Sequence, residues 1–160
     1  MPLREINLVI HFLGFGLFVT VLVSAFIIER QYRKSSDVKT KATLLGVMRS
    51  VGIISPFAML VMLLTGIGNM RALGIGLFDF GWLTAKVIFF AIAAVNGILS
   101  GIRGRKRAAL VFRMAGGEGT SDMETTIKEY DKQQWIFFIV NAILLLLIVS
   151  LSVFGRLGGQ

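Results

Sequence analysis

The sequence predicts an all-α integral membrane protein: a four-helix bundle with both termini on the outer side and two basic cytoplasmic linkers. Three observations carry this. Of 160 residues, 55% are apolar and 16% charged, with a mean hydropathy of +0.77. Ordinary soluble domains carry roughly 25% charged residues, and so short a chain has too little interior to hide this much apolar surface from water. Four apolar runs reach the about 20 residues that a helix needs to cross a hydrocarbon core of about 30 Å. The basic residues, finally, gather in alternate linkers between those runs.

The first span is "INLVIHFLGFGLFVTVLVSAFII", Ile6 to Ile28; it holds no charge and the chain's single histidine, His11. Its length, the pairing of Arg4 with Glu5 before it and the lack of a small-x-small cleavage site set it apart from a signal peptide. The second span runs from about Leu45 to Met70, and Pro56, which removes a helix hydrogen bond, predicts a kink in it. The third is about Trp82 to Gly101 and the fourth about Gln134 to Phe154. All four must be helices, because lipid offers no partner to open backbone groups. Residues 1–160 form one transmembrane domain.

The linkers set the orientation. Arg30, Arg33, Lys34, Lys39, Lys41 and Arg49 follow span one; Arg103, Arg105, Lys106, Arg107, Arg113, Lys128 and Lys132 follow span three. That is thirteen of seventeen basic residues. Arg4, Arg71 and Arg156 fall on the other side, and Lys86 lies within a span. The positive-inside rule then places both basic linkers in the cytoplasm of a bacterial inner membrane. Trp82, Trp135, Tyr32 and Tyr130 stand near span ends, as interfacial anchors do. In the linker 102–133, "RGRKRAALVFRM" extends the third helix along the membrane surface and "GGEG" breaks it. Ser121 reads as the next N-cap with Glu124 as capping-box partner. The net charge of +8 lies in these linkers, so anionic lipid headgroups are expected partners rather than nucleic acid.

Depth singles out the candidate site. At 1.5 Å per residue His11 is about 7 Å, and Lys86 about 6 Å, from the outer end of its span. Thr65, Asn69 and Met70 share that layer, with Met62 deeper. Ionisable groups at such depth are costly and often mark function. The bland readings are equally concrete. His11 can be a neutral hydrogen-bonding residue near Asn7, and Lys86 can snorkel to the headgroups and pair with Asp79. The thioethers of Met59 and Met62 suit packing or a soft metal such as copper(I) with His11. A haem held by His11 with Met62 or Met70 is chemically acceptable. Gly16, Thr20 and Ser24 form a small-residue stripe, and Gly97 and Gly101 a GxxxG pair, both suited to close helix approach within the bundle or between copies. Asn96 and Asn141 are placed to bond each other. With no cysteine in the chain, disulfides and thiolate sites are excluded. No phosphate-binding loop, dinucleotide fingerprint or nucleophile–base set is present.

A histidine followed by glycine in span one, "MRSVG" opening span two, "LLTG" late in it and "GWLTAK" opening span three resemble a superfamily of small bacterial four-helix membrane proteins. It includes the HemJ-type protoporphyrinogen IX oxidases and the CopD-type copper-resistance membrane domains. His11, Thr65, Gly66, Trp82 and Lys86 match its motif positions. The resemblance implies a role for His11 and Lys86 in haem binding or porphyrinogen oxidation. The tryptophan expected soon after the histidine is phenylalanine here, around Phe15, and further histidines are absent.

The expected function is therefore binding of b-type haem, another tetrapyrrole or another redox ligand in an outer-side cavity lined by His11, Met62, Thr65 and Lys86, with His11 as the metal ligand. The alternatives are a non-enzymatic membrane subunit or scaffold, as a homo-oligomer or within a larger complex, and a copper-handling protein.

Overall fold

A computed structural model describes residues 3–155; Arg156 of the orientation argument lies outside them. The chain forms five helices and, among the described residues, no strand: α1 (Leu3–Lys34), α2 (Val38–Gly52), α3 (Ile54–Ala72), α4 (Gly81–Ala115) and α5 (Ser121–Phe154). α2 and α3 run together as one long element, so four helices are long and apolar enough to cross a membrane. Their outward faces fit that role. Phe12, Leu64, Ile98 and Leu146, one on each element, are all more than half exposed.

Local chemistry explains the boundaries. Asp37 caps α2, its carboxylate accepting from Lys39 N and Thr40 N, as an N-cap does for orphan amides. The break between α2 and α3 falls at Ile53, three residues before Pro56, which cannot donate back along the helix. α3 and α4 end alike. Gly74 and Gly117 take positive φ, and the amides beyond them, Ile75 N and Glu118 N, reach back to Met70 O and Arg113 O. This is the glycine-dependent helix stop. The next N-cap is Thr120, not Ser121: its extended backbone lets its hydroxyl accept from Met123 N. α4 continues unbroken through "RGRKRAALVFRM", from Gly81 to Ala115, and Arg107 and Val111 on it are buried.

The helices pack mainly as two pairs, α1 with α3 and α4 with α5, and α2 packs on both α1 and α4. One end of the bundle holds the α1–α2 and α4–α5 linkers, and is called here the linker end. The other, the terminal end, holds Leu3, Phe154 and the α3–α4 turn. A core of Tyr32, Ala42, Leu45, Val111 and Ile127 closes the linker end; it draws on every helix except α3. Tyr32, expected as an interfacial anchor, is fully buried there.

Between α1 and α3 the close approach is at Gly14, not at Gly16. A Cβ on Gly14 would lie 3.0 Å from Val61 Cγ1 and 3.3 Å from Met62 Cγ, whereas one on Gly16 would meet nothing within 4 Å. Gly16 and Thr20 of the small-residue stripe are exposed, with the Thr20 hydroxyl bonded to its own helix at Gly16 O. Between α4 and α5, Gln134 is the tie. Its Oε1 accepts from Ser100 Oγ at 2.9 Å and its Nε2 donates to Ser100 O at 2.8 Å. Asn96 donates to Phe137 O at 3.2 Å, not to Asn141.

Candidate functional site

At the terminal end a neutral network joins α1 to α3. Asn7 Nδ2 donates to Thr65 O and Asn69 Oδ1, both at 2.8 Å. One turn further along α1, His11 Nδ1 lies 2.8 Å from Thr65 Oγ1. The threonine hydroxyl has one proton, and its 2.6 Å bond to Val61 O uses it. Thr65 Oγ1 therefore accepts from the imidazole, so the ring carries its proton on Nδ1 and its lone pair on Nε2. Thr65 is buried and His11 half-buried.

The other candidates take places around this bond. Met62, one turn below Thr65 on α3, is buried. Gly66 leaves room beside the ring, since a Cβ there would sit 3.7 Å from His11 Cε1. Lys86 is half-buried on α4. Asp79 holds its own turn, accepting from Gly76 N at 2.6 Å. The structure thus brings His11 of α1 onto Thr65 of α3, with Met62 one turn below. Met59 and Met62 both border a cavity of about 30 Å³ deeper between the spans; His11, Thr65 and Lys86 do not line it. Among the described residues no three histidine, aspartate or glutamate side chains cluster as a metal site.

The linker end holds a second polar assembly that sequence reasoning missed. Arg107 binds Glu29 through two parallel bonds, Nη1–Oε1 at 3.0 Å and Nη2–Oε2 at 2.7 Å. Its Nη1 also meets Asp131 Oδ1 at 3.0 Å. Arg33 joins from α1, donating to Glu29 Oε1 at 3.2 Å and to Asp131 O. The Arg107 guanidinium lies over the Tyr32 ring, 4.5 Å from its centroid. Glu29, Tyr32 and Arg107 are each 0% exposed. Tyr32 Oη and Arg107 Nε are buried with no hydrogen-bond partner among the described residues. Two cations and two carboxylates balance, so the assembly is neutral as a whole and ties α1, α4 and α5 together. It does not resemble a site that binds an external ion, since its charges satisfy one another.

The sequence did hold a signal for it. Glu29 directly follows an apolar span and stands four residues before Arg33, at helix spacing for a pair.

Comparison with family models, with curated proteins and with solved structures found no match.

Proposed function

We propose that this chain is a multi-pass protein of the bacterial inner membrane, HemJ/CopD-like, that holds b-type haem, another tetrapyrrole or another redox ligand such as a quinone at its terminal end. In this reading the terminal end faces outward and the basic linkers lie in the cytoplasm against anionic headgroups. The observation that supports it is the His11–Thr65 bond. Metal-ligating histidines commonly donate one ring N–H to a second group, which fixes the tautomer and aims the other nitrogen at the metal. Thr65 holds His11 in that form, in which Nε2 would be the nitrogen that ligates the metal.

The donor chemistry fits haem: a neutral imidazole and, one helix turn from Thr65, the Met62 thioether. When bound, haem would supply one-electron redox chemistry. Thr65 would keep the imidazole aligned, and Lys86 would offer a cation to a propionate or similar anionic group. The cavity of about 30 Å³ is far smaller than a tetrapyrrole. A ligand of that size would seat between the two helix pairs at the terminal end, where backbone contact between the pairs is sparse.

The test is the absorption spectrum of protein purified in mild detergent, oxidised and after dithionite. A reduced-minus-oxidised α-band with a Soret shift is expected. It should be lost in His11→Ala while membrane insertion is kept. A flat wild-type spectrum would remove the haem assignment, and cofactor retained by the variant would remove His11 as its ligand.

One observation favours the second reading, a membrane subunit or scaffold. Gly97 and Gly101 of α4 are exposed, and a Cβ on either would meet nothing within 4 Å. This GxxxG is not used inside the bundle, which leaves it open to a helix of another subunit. That reading predicts a colourless protein that retains partner subunits in mild detergent.

A further inference from the structure

The cavity between the spans sits deeper in the bundle than His11 and takes walls from all four transmembrane elements. Phe18 comes from α1, Met59 and Met62 from α3, Phe90 and Ala93 from α4, and Asn141 from α5. Its volume is about 30 Å³, whereas one water needs roughly 10–15 Å³. The space therefore suits a molecule of two heavy atoms. Its walls decide which kind. A buried water needs two to four polar partners, and the rest of the lining being hydrocarbon and thioether, Asn141 alone offers any. Apolar cavities of this sort stay dry and take up apolar guests.

Ala93 sets the size of the space. It is buried, and its methyl group is the smallest side chain on the wall. A leucine there would fill much of the volume. Met62 links the cavity to the candidate site, since it borders the cavity while lying one turn below Thr65.

We propose that this cavity is a binding site for a small uncharged apolar molecule of the dioxygen class, drawn from the hydrocarbon phase of the bilayer. The inference does not rest on what His11 binds. It gives the bundle a place to hold a diatomic gas next to the layer in which His11 sits.

The experiment uses the full chain in lipid nanodiscs with ¹³C-methyl-labelled methionine, under dioxygen pressure and then under argon. Dioxygen is paramagnetic and speeds the relaxation of methyl groups it touches. Met62 is buried, so a packed interior would shield it and give it less enhancement than half-exposed Met70. A gas site gives the opposite order, with Met59 and Met62 enhanced at least about two-fold over Met48 and Met70. Ala93→Leu should bring both down to the level of the others, which separates the cavity from bilayer depth alone. His11→Ala should leave the enhancement unchanged, so failure here is distinct from failure of the haem assignment. Met48 and Met114, which pack on the linker-end core, report whether the leucine variant keeps its fold. If they shift, the smaller Ala93→Val serves, with a partial reduction expected. No excess at Met62 in the wild type, or an excess that survives filling of the cavity, would overturn the proposal.

Discussion

The two ends of the bundle solve the same problem with opposite chemistry. Each must bring polar side chains together from separate helices in a largely apolar chain. The linker end does so with mutually neutralised full charges: Glu29 and Arg107, both buried, with Asp131 partly buried and Arg33 at the exposed edge. The terminal end does so with neutral groups: Asn7, His11 and Asn69, partly buried, around buried Thr65. A buried ion pair is costly to desolvate and very costly to halve, so the linker end is committed to one arrangement. Neutral hydrogen bonds contribute about 1 kcal/mol each, and a network of them can open or exchange partners at modest cost. The contrast separates a fastening from a place where something can bind.

The contrast breaks first, and hardest, at Glu29. Glu29→Gln leaves the Arg107 guanidinium buried beside a weaker partner and should cost roughly 3–5 kcal/mol, read as a large fall in thermal stability in detergent. The double change Glu29→Leu with Arg107→Met should recover most of that loss, because both charges leave together. If the double variant is no better than the single one, the pair has a role beyond fastening.

Gly14 tests the helix pair that carries His11. Gly14→Leu forces side-chain atoms into the 3.0 Å gap to Val61, with an expected cost of roughly 1–3 kcal/mol. Gly16→Leu, on the open face, should be near neutral. Equal losses at the two glycines would mean that α1 meets α3 on a different face.

A smaller effect sharpens the terminal end. Thr65→Val removes the acceptor for His11 Nδ1 and should cost about 1 kcal/mol. Because the chain has one histidine, ¹⁵N NMR of its ring is unambiguous. The wild type should show the proton on Nδ1, and the valine variant should move the proton population toward Nε2. A wild-type ring protonated on Nε2 would contradict the hydrogen-bond direction assigned here.

The smallest effect is a pH dependence at the cap of α2. Hydrogen bonds from the Thr40 side chain and backbone hold the Asp37 carboxyl below the usual aspartate range. The folded state therefore binds this proton less readily than the unfolded state. The cap's contribution is present above the ordinary aspartate pKa and is lost as pH falls through that value toward the lowered one. Asp37→Asn should flatten the small acid-side loss of stability measured by circular dichroism, while leaving the neutral-pH value close to wild type.

The four long helices were legible because run length and apolar content are properties of contiguous sequence. The pairing of His11 with Thr65 across α1 and α3 follows from depth, since residues at one level of adjacent spans share a layer. Facing was not legible. Gly14 and Gly16 differ by two residues, about 200° around a helix, and a four-residue stripe does not say which side meets a neighbour. The Glu29–Arg107 pair was hidden for a related reason. The two residues are 78 apart, and each sits in a charge-rich helix end where a solvated side chain is the ordinary expectation. Thr120 and Ser121 are adjacent hydroxyls that qualify equally as caps, and only backbone geometry chooses between them.

The separation of Glu29 and Arg107 also has a consequence in time. A ribosome delivers the chain from its N-terminus, so Glu29 exists for 78 residues of synthesis before its main partner is made. Arg33, one helical turn away and already bonded to the same carboxylate oxygen, is available from the start. It can hold the charge while α2 and α3 are added, until α4 brings Arg107 into place. A nascent chain halted after α3 therefore depends on Arg33, whereas the finished protein shares that task between two arginines.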